Sequence, residues 1–337
     1  MGESKRHHYI PQFILRNFLD KNGQLSYWDL EKKKLEKRNP KSIFMNFDMY
    51  RDEINHQDDP TLIESSLAVF EREISELINK KLLSEKEVVL TRAELESLRI
   101  FLSLLSFRSD LRMNQYKNAN FNESTKKILE EYAHGNFEDL WKREIEILSK
   151  CRSYDEIRKN AEIDPIIKLD FENDLRGYYM TLVDARGEDF ILTDVYPTLE
   201  VFPVNQGVNL HLHALYPISN KRLLLINHIM FRPDAISNPL FDGLRRISQI
   251  KGTMIIPPKN RYSVSPYVHT SSDQYIYKVG KIYSNDVEYI NALQLNEARV
   301  GIMFSDAENI VSSIEAFNRR NDTKQVYLEL ENALCES

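Results

Sequence analysis

The chain has 337 residues, with 45 Lys and Arg against 51 Asp and Glu, and a formal net charge of −6 at pH 7. This balance argues against a protein that coats polyanions, because neutralising many phosphates needs a basic excess, although one local basic groove stays open. The 42% apolar and 28% charged residues are typical of soluble globular proteins and argue against disordered and membrane-spanning classes.

Cysteine usage and the N-terminal segment indicate where the protein works. Cys151 and Cys335 belong to no CxxC or Cys/His ligand spacing, so we expect a reducing, cytoplasmic setting. The N-terminal segment is basic but lacks the apolar run of a signal peptide, and no apolar run is long enough to span a bilayer. We therefore expect no membrane contact.

The first half of the chain is predicted to be mainly helical. A short helix begins near Pro11, and a strand follows the turn signal Asn22-Gly23. Thr61 and Thr91 each precede a Glu by three residues, which is the capping-box spacing and predicts two longer helices. Further helices are predicted at about 123–134, 138–149 and 154–161.

The second half is predicted to be rich in β structure. Beyond Pro165 come short β-branched and aromatic runs separated by Gly, Pro, Asn and Asp, which can pair as antiparallel hairpins. Helical spacing returns from about residue 285 and at 307–318, and a terminal helix or strand is expected within 319–337. The sequence predicts an α+β fold in which a mainly helical region, 1–165, packs against an antiparallel β-rich region with C-terminal helices, 166–337, in one composite domain.

The segment HHYIPQFILRNF, residues 7–18, has the highest density of candidate functional residues. His8 would lie just before the helix at Pro11, where the helix dipole disfavours the charged imidazole and leaves a neutral base or metal ligand. Alternatively, His8 is a buried hydrogen-bonding residue that fixes the N-terminal segment.

This opening segment resembles that of the bacterial domain-of-unknown-function family 4238, which begins His-x-(Val/Ile)-Pro-Gln-x-x-Leu-(Arg/Lys)-x-Phe. The resemblance continues in order at Asn46-Phe47 with Tyr50, 60–74, 101–108, 191–194, 215–219 with 223–225, and Asn291, Gln294 and Ala298. One departure is that two residues separate Asp194 from Pro197, where the family pattern has one. The family lacks a settled activity, so the resemblance implies a fold and a set of residues more than a reaction.

Two acidic residues that match the family's helix form a candidate metal site. Glu64 and Glu71 are two helical turns apart and so lie on one edge of the apolar stripe. With Asp194 and His8 they would form a hard-ligand set for Mg²⁺ or Mn²⁺. In the structural alternative, Glu64 completes the capping box and Glu71 pairs with an arginine of the next helix, Arg99 or Arg108.

The candidate catalytic residues are His8, Gln12, Glu71, Arg108 and Asp194. If they converge, the carboxylates would hold the metal, His8 would act as base, and Arg108 would stabilise charge developing on a phosphoryl group.

A separate set of histidines allows another interpretation. His211 and His213 alternate on a predicted strand and His228 could lie on its neighbour, so three imidazoles on one face would suit Zn²⁺. Ordinary sheet-face histidines explain the same pattern.

Two functional hypotheses follow. The first is a metal-dependent phosphodiesterase that binds nucleic acid through a local basic groove. Such a protein would be a nuclease-like effector in phage defence or in a toxin-like role. The second is a non-catalytic binding or scaffold protein, with a protein partner, in which the opening motif is structural.

Overall fold

The computed structural model describes residues 6–133, 136–176, 178–205, 208–228, 231, 255–256, 274–320 and 325–335. His134, where one helix is predicted to end, lies outside these residues, as do residues 321–324 and 336–337 of the tail in which a terminal element is predicted. Within them, no helix is long and apolar enough to cross a membrane.

Helices dominate the N-terminal half and return at the C-terminal end. They are α1 Gln12–Arg16, α2 Leu62–Leu77, α3 Arg92–Phe107, α4 Asp110–Lys117, α5 Glu123–Tyr132, α6 Phe137–Lys150, α7 Tyr154–Lys159, α8 Pro165–Arg176, α9 Ser284–Glu297, α10 Val311–Arg320 and α11 Gln325–Cys335.

The strands are short and mostly antiparallel. They are β1 Arg6–His8, β2 Leu25–Asp29, β3 Lys34–Arg38, β4 Met45–Phe47, β5 Glu87–Thr91, β6 Tyr178–Ala185, β7 Leu192–Thr193, β8 Thr198–Asn205, β9 Val208–Pro217, β10 Arg222–His228, β11 Ile255–Ile256, β12 Gln274–Lys278, β13 Gly280–Ile282 and β14 Gly301–Phe304. The α+β prediction is confirmed.

Sheet pairing joins the two halves of the sequence. The five-stranded sheet, β13-β6-β10-β9-β8, comes from the second half, with only the β13–β6 pair parallel among the pairs described. In the sheets β3-β2-β14-β7 and β11-β12-β5, strands from the first half pair with strands from the second. One apolar core likewise includes Phe101 of α3 and Leu224 of β10.

The two predicted capping boxes have different outcomes. At α3 the box is confirmed, because the Thr91 hydroxyl accepts from the Glu94 N–H and the Glu94 carboxylate accepts from the Thr91 N–H. At α2 it is wrong, since Thr61 makes no side-chain cap and its hydroxyl donates to Asp59 instead. The Glu64 carboxylate faces an imidazole described below.

Asp194 fixes the chain where it enters β14. Its carboxylate accepts backbone N–H bonds from Arg299, Val300 and Gly301, at 3.0, 2.9 and 3.2 Å. Gly301 packs directly under the Tyr27 ring, because an added Cβ would lie only 2.0 Å from the hydroxyl oxygen. This contact requires a residue without a side chain.

We expect Gly301→Ala to lower the free energy of unfolding by roughly 1–3 kcal/mol, because the Tyr27 ring must move out of a packed core. Urea denaturation measures this change. Val300→Ala is the matched control, since Val300 is exposed beside Gly301 and its truncation should cost less than about 0.5 kcal/mol. Equal stability of the two variants would contradict the packing argument.

A buried pair of carboxyl groups anchors α8. Glu144 of α6 accepts from the Asp164 N–H at 3.1 Å, and the Asp164 carboxylate accepts from the N–H groups of Ile166 and Ile167. Burial, reinforced by the charge of Asp164, raises the pKa of Glu144 from 4.5 to about 8. Glu144 is therefore mainly protonated in the folded protein at neutral pH.

The raised pKa predicts a pH-dependent loss of stability. Glu144 favours the folded state fully below pH 4.5, and this contribution declines as the pH rises to about 8, because only the unfolded state ionises in that interval. Glu144→Gln keeps an acceptor for Asp164 but cannot ionise, so its stability should fall less across the interval. Urea denaturation at several pH values measures how steeply the stability of each protein changes with pH, and exposed Glu130→Gln is the control. An equal pH dependence of wild type and Glu144→Gln would contradict the raised pKa of Glu144.

Candidate functional site

A cleft of about 420 Å³ lies between the opening motif and α2. We call it the motif cleft. It is lined by His7, His8, Gln12, Phe13, Arg16, Tyr50, Glu64, Ala68, Glu71, Arg72 and Ser75.

His8 is held in one orientation by the first helix. The Gln12 amide nitrogen lies 3.3 Å from His8 Nδ1, and Arg16 donates to the Gln12 amide oxygen at 3.0 Å. Because Arg16 fixes which end of the amide faces the imidazole, Gln12 donates to Nδ1 and the neutral ring carries its proton on Nε2. His8 Nε2 is buried.

The environment of His8 favours its neutral form. Burial is the largest cause that lowers its pKa below 6.5, and the positive charge of Arg108 lowers it further. The carbonyl of Pro40 and the carboxylate of Glu64 oppose this shift without overcoming it. The neutral imidazole predicted from the sequence thus results mainly from desolvation, and the α1 N-terminus has no side-chain cap.

The adjacent histidine, His7, joins the motif to two distant segments. Its Nδ1 accepts from the Tyr50 N–H at 2.8 Å, and its Nε2 lies 2.9 Å from the Glu64 carboxylate. The His7 ring also stacks on the Tyr50 ring, with centroids 5.5 Å apart. These contacts position β1 against α2 and occupy Glu64.

Glu71 forms an ion pair with Arg108. Arg108 Nη2 donates to the Glu71 carboxylate at 2.6 Å, and the Arg108 side chain is fully buried at the end of α3. Burial is the largest single influence and disfavours the guanidinium charge, but the charge and hydrogen bond of Glu71 together with Tyr50 outweigh it and raise the pKa of Arg108. Arg108 Nε and Nη1 have no hydrogen-bond partner among the described residues.

Aromatic residues complete the polar end of α3. The Tyr50 hydroxyl donates to the Arg108 carbonyl at 3.2 Å, and Trp141 Nε1 donates to the Phe107 carbonyl at 3.0 Å. The last carbonyls of a helix have no partner within it, so these bonds satisfy groups that would otherwise be buried unpaired. They fix the helix end that carries the guanidinium.

The structure brings four of the five candidate catalytic residues into one region. His8, Gln12 and Glu71 line the motif cleft, and Arg108 lies behind Glu71. Asp194 is elsewhere, bound to the backbone at 299–301, and does not line the cleft.

The predicted metal ligands do not fit a shared ion. Glu64 faces His7, Glu71 pairs with Arg108, and Asp194 is satisfied by backbone N–H groups. Within the described part of the chain, no group of three His, Cys, Asp or Glu side chains is arranged to hold a metal ion. The sequence motif identified suitable ligand types but not their partners.

The charge of the cleft suits an anionic group. Arg16 and Arg72 line it and Arg108 lies behind it, against the carboxylates of Glu64 and Glu71. With His8 neutral, the positive groups exceed the negative ones. Sequence reasoning included Arg16 only as the Arg/Lys position of the opening motif and did not single out Arg72, since arginine is common on solvated helix faces.

Two asparagines, Asn291 at a position that resembles the family and Asn17 at a variable position of the opening motif, are structural. Asn291 donates to the Asp189 carbonyl and the Ser313 hydroxyl and accepts from the Ile191 N–H, entirely within the core. Asn17 donates to the Ile218 carbonyl at 3.0 Å, which ties the opening motif to the β9–β10 turn.

Comparison with known proteins identifies a family for the chain. The model of the family described as Protein of unknown function (DUF4238) matches residues 6–308, which confirms the resemblance predicted from the sequence. No curated protein and no solved structure matches the chain.

The ion pair predicts strong coupling between two substitutions. Glu71→Leu should lower the free energy of unfolding by roughly 3 kcal/mol, because it leaves the buried charge of Arg108 without its partner. Adding Arg108→Met removes that charge and should restore most of the loss. A double-mutant cycle by urea denaturation measures the coupling, and strictly additive effects would contradict the pairing.

Proposed function

We propose that this chain, which belongs to the DUF4238 family, is a nuclease-like phosphodiester hydrolase whose reaction takes place in the motif cleft. The observation that carries the proposal is the convergence of His8, Gln12 and Glu71 on one cleft, backed by the Arg108 guanidinium. Such a site combines a neutral base with positive charge for a phosphate.

In the proposed reaction His8 acts as the base. Its Nδ1 lone pair accepts from Gln12 in the resting structure, so the attacking water replaces the Gln12 amide at this atom. His8 takes a proton as the water oxygen bonds to phosphorus, and the P–O bond to the leaving group breaks. The leaving oxygen then receives the proton from the imidazolium.

The arginines have different roles in this reaction. Arg16 and Arg72 line the cleft and bind the phosphate oxygens directly. Arg108 is fully buried and holds Glu71, so it acts as a positioning residue and contributes its positive charge through the protein. The cleavage assays include Mg²⁺ and Mn²⁺, and no step of the proposed reaction is assigned to either ion.

The cellular setting is also proposed. Cys151 and Cys335 are free thiols, which supports a reducing cytoplasm. A role in phage defence or as a toxin-like effector is the setting we propose for a nuclease of this kind, and a local groove containing Arg16 and Arg72 would contact the nucleic acid.

One observation favours a second function, that of a non-catalytic binding protein. His7, His8 and Asn17 each have a partner within the chain that holds the opening motif in place. In this alternative the motif stabilises a surface for a protein partner, and truncating His8 lowers stability without removing an activity.

Cleavage assays separate the two functions. Wild type is incubated with single- and double-stranded DNA and RNA, each with Mg²⁺, with Mn²⁺ and with a chelator. His8→Ala should cut at least about 100-fold more slowly while remaining folded in thermal melts, because the base is lost. Exposed His211→Ala is the matched control and should cut like wild type.

The pH profile adds a readout that a structural role would not change. Because the pKa of His8 is lowered, wild-type cleavage should persist below pH 6.5 and decline only when the imidazole becomes protonated. If wild type cuts none of the substrates and His8→Ala melts early, the hydrolase proposal fails and the binding function stands.

A further inference from the structure

The histidines of the β-rich half, which the sequence offers as an alternative zinc site, are separated by a β-bulge. Glu200 pairs with His213 and the next residue, Val201, pairs with His211, so Leu212 is the extra residue. His213 is buried, with Nδ1 2.7 Å from the Glu200 carboxylate, whereas His211 projects from the opposite face and is exposed. The three imidazoles therefore do not share one face.

A cavity of about 250 Å³ lies in the helical half of the chain. It is bounded by the end of α3, by α4, by α5 and the loop that leads into it, and by the first turn of α8. We call it the aromatic cavity. None of the described residues that line it also lines the motif cleft, so the two sites are separate.

Aromatic rings and aliphatic side chains form most of the wall of the aromatic cavity. Phe107 and Phe121 each pack edge-to-face on Tyr116, with ring centroids 5.8 and 4.9 Å apart. Leu129 and Ile167, on other sides of the cavity, belong to the same apolar core as Phe107 and Tyr116. Because these side chains are anchored in the core, the apolar part of the cavity is already formed without a ligand.

Arg112 is the single charged side chain among the described residues that line the aromatic cavity. Its Nη1 donates to the Gln115 amide oxygen at 2.8 Å, and Gln115 Nε2 donates in turn to the Asn120 carbonyl at 3.2 Å. Within the described part of the chain, no carboxylate pairs with Arg112. A guanidinium has five N–H donors, so a neutral amide leaves most of them, and the whole charge, for an anion.

We propose that the aromatic cavity binds a small aromatic carboxylate, with the carboxylate on Arg112 and the ring against the apolar wall. An apolar cavity of about 150 Å³ can hold benzene, so this larger cavity has room for one ring and a carboxylate. The planar guanidinium matches a carboxylate through two parallel N–H···O bonds. An aromatic ring can also make edge-to-face contacts with the rings of the wall. This binding site is independent of the proposed hydrolysis.

Fluorine NMR with the full chain and three probes tests the site. The probes are para-fluorobenzoate, para-fluorobenzyl alcohol and para-fluorobenzylammonium, which have the same ring and a negative, a neutral and a positive substituent. We expect a saturable shift of the para-fluorobenzoate resonance during titration with protein. The alcohol should bind at least about tenfold more weakly, because it lacks the charge-assisted pair with Arg112, and the ammonium should not bind.

Two substitutions locate the bound probe. Arg112→Gln removes the guanidinium from a partly exposed position and should weaken para-fluorobenzoate binding at least about tenfold. Ile166→Phe adds a ring to the cavity wall and should abolish binding by filling the space. Arg72→Gln, which removes an arginine from the motif cleft, is the matched control and should bind the probe like wild type.

Several results would overturn the aromatic carboxylate site. They are no saturable shift with wild type, equal affinity for the three probes, undiminished binding by Arg112→Gln, and a loss of binding in Arg72→Gln, which would place the probe in the motif cleft. Thermal melts check that each variant is folded. If Ile166→Phe does not fold, Arg112→Gln still decides, because Arg112 pairs only with a neutral amide among the described residues and its removal leaves no buried charge.

Discussion

A guanidinium group without access to solvent is the constraint on which the N-terminal half depends. Arg108 lies at the C-terminal end of α3 and is fully buried. Among the described residues, only Glu71 of α2 pairs its carboxylate with this guanidinium. The two helices must therefore keep one relative position, since a shift would leave a charge unpaired in the core. Tyr50 bonds to the same helix end and stacks on His7, so the constraint extends to the opening motif and the cleft beside it.

The chain holds two imidazoles in defined tautomers by different means. A neutral amide, Gln12, donates to His8, whereas a carboxylate, Glu200, accepts from His213. In the neutral rings, the first arrangement leaves an N–H on Nε2, and the second leaves a lone pair on Nε2. The same residue type therefore presents opposite hydrogen-bonding character in the two regions.

Sequence reasoning predicted what depends on local spacing. The α3 capping box and the short helix after Pro11 follow from neighbouring residues, and both are present. The sequence left open whether Glu71 binds a metal ion or pairs with an arginine. Helical spacing places the carboxylate on one face of the helix but does not choose between Arg99 and Arg108 as its partner. Asp194 could not be assigned, since its backbone partners lie more than a hundred residues further along the chain. The predicted capping box at Thr61 is wrong for the same reason, because Glu64 faces His7, a residue distant in the sequence.

The pairing of β2 with β14 has a consequence for synthesis on the ribosome. Leu25–Asp29 pairs with Gly301–Phe304 on one side and with β3 on the other. At translation rates of about 5–20 residues per second, the β2–β3 hairpin is synthesised on the order of tens of seconds before β14, the strand that pairs with β2. Its open edge is a template for wrong pairing during that time, so nascent chains are expected to depend on chaperones that shield it.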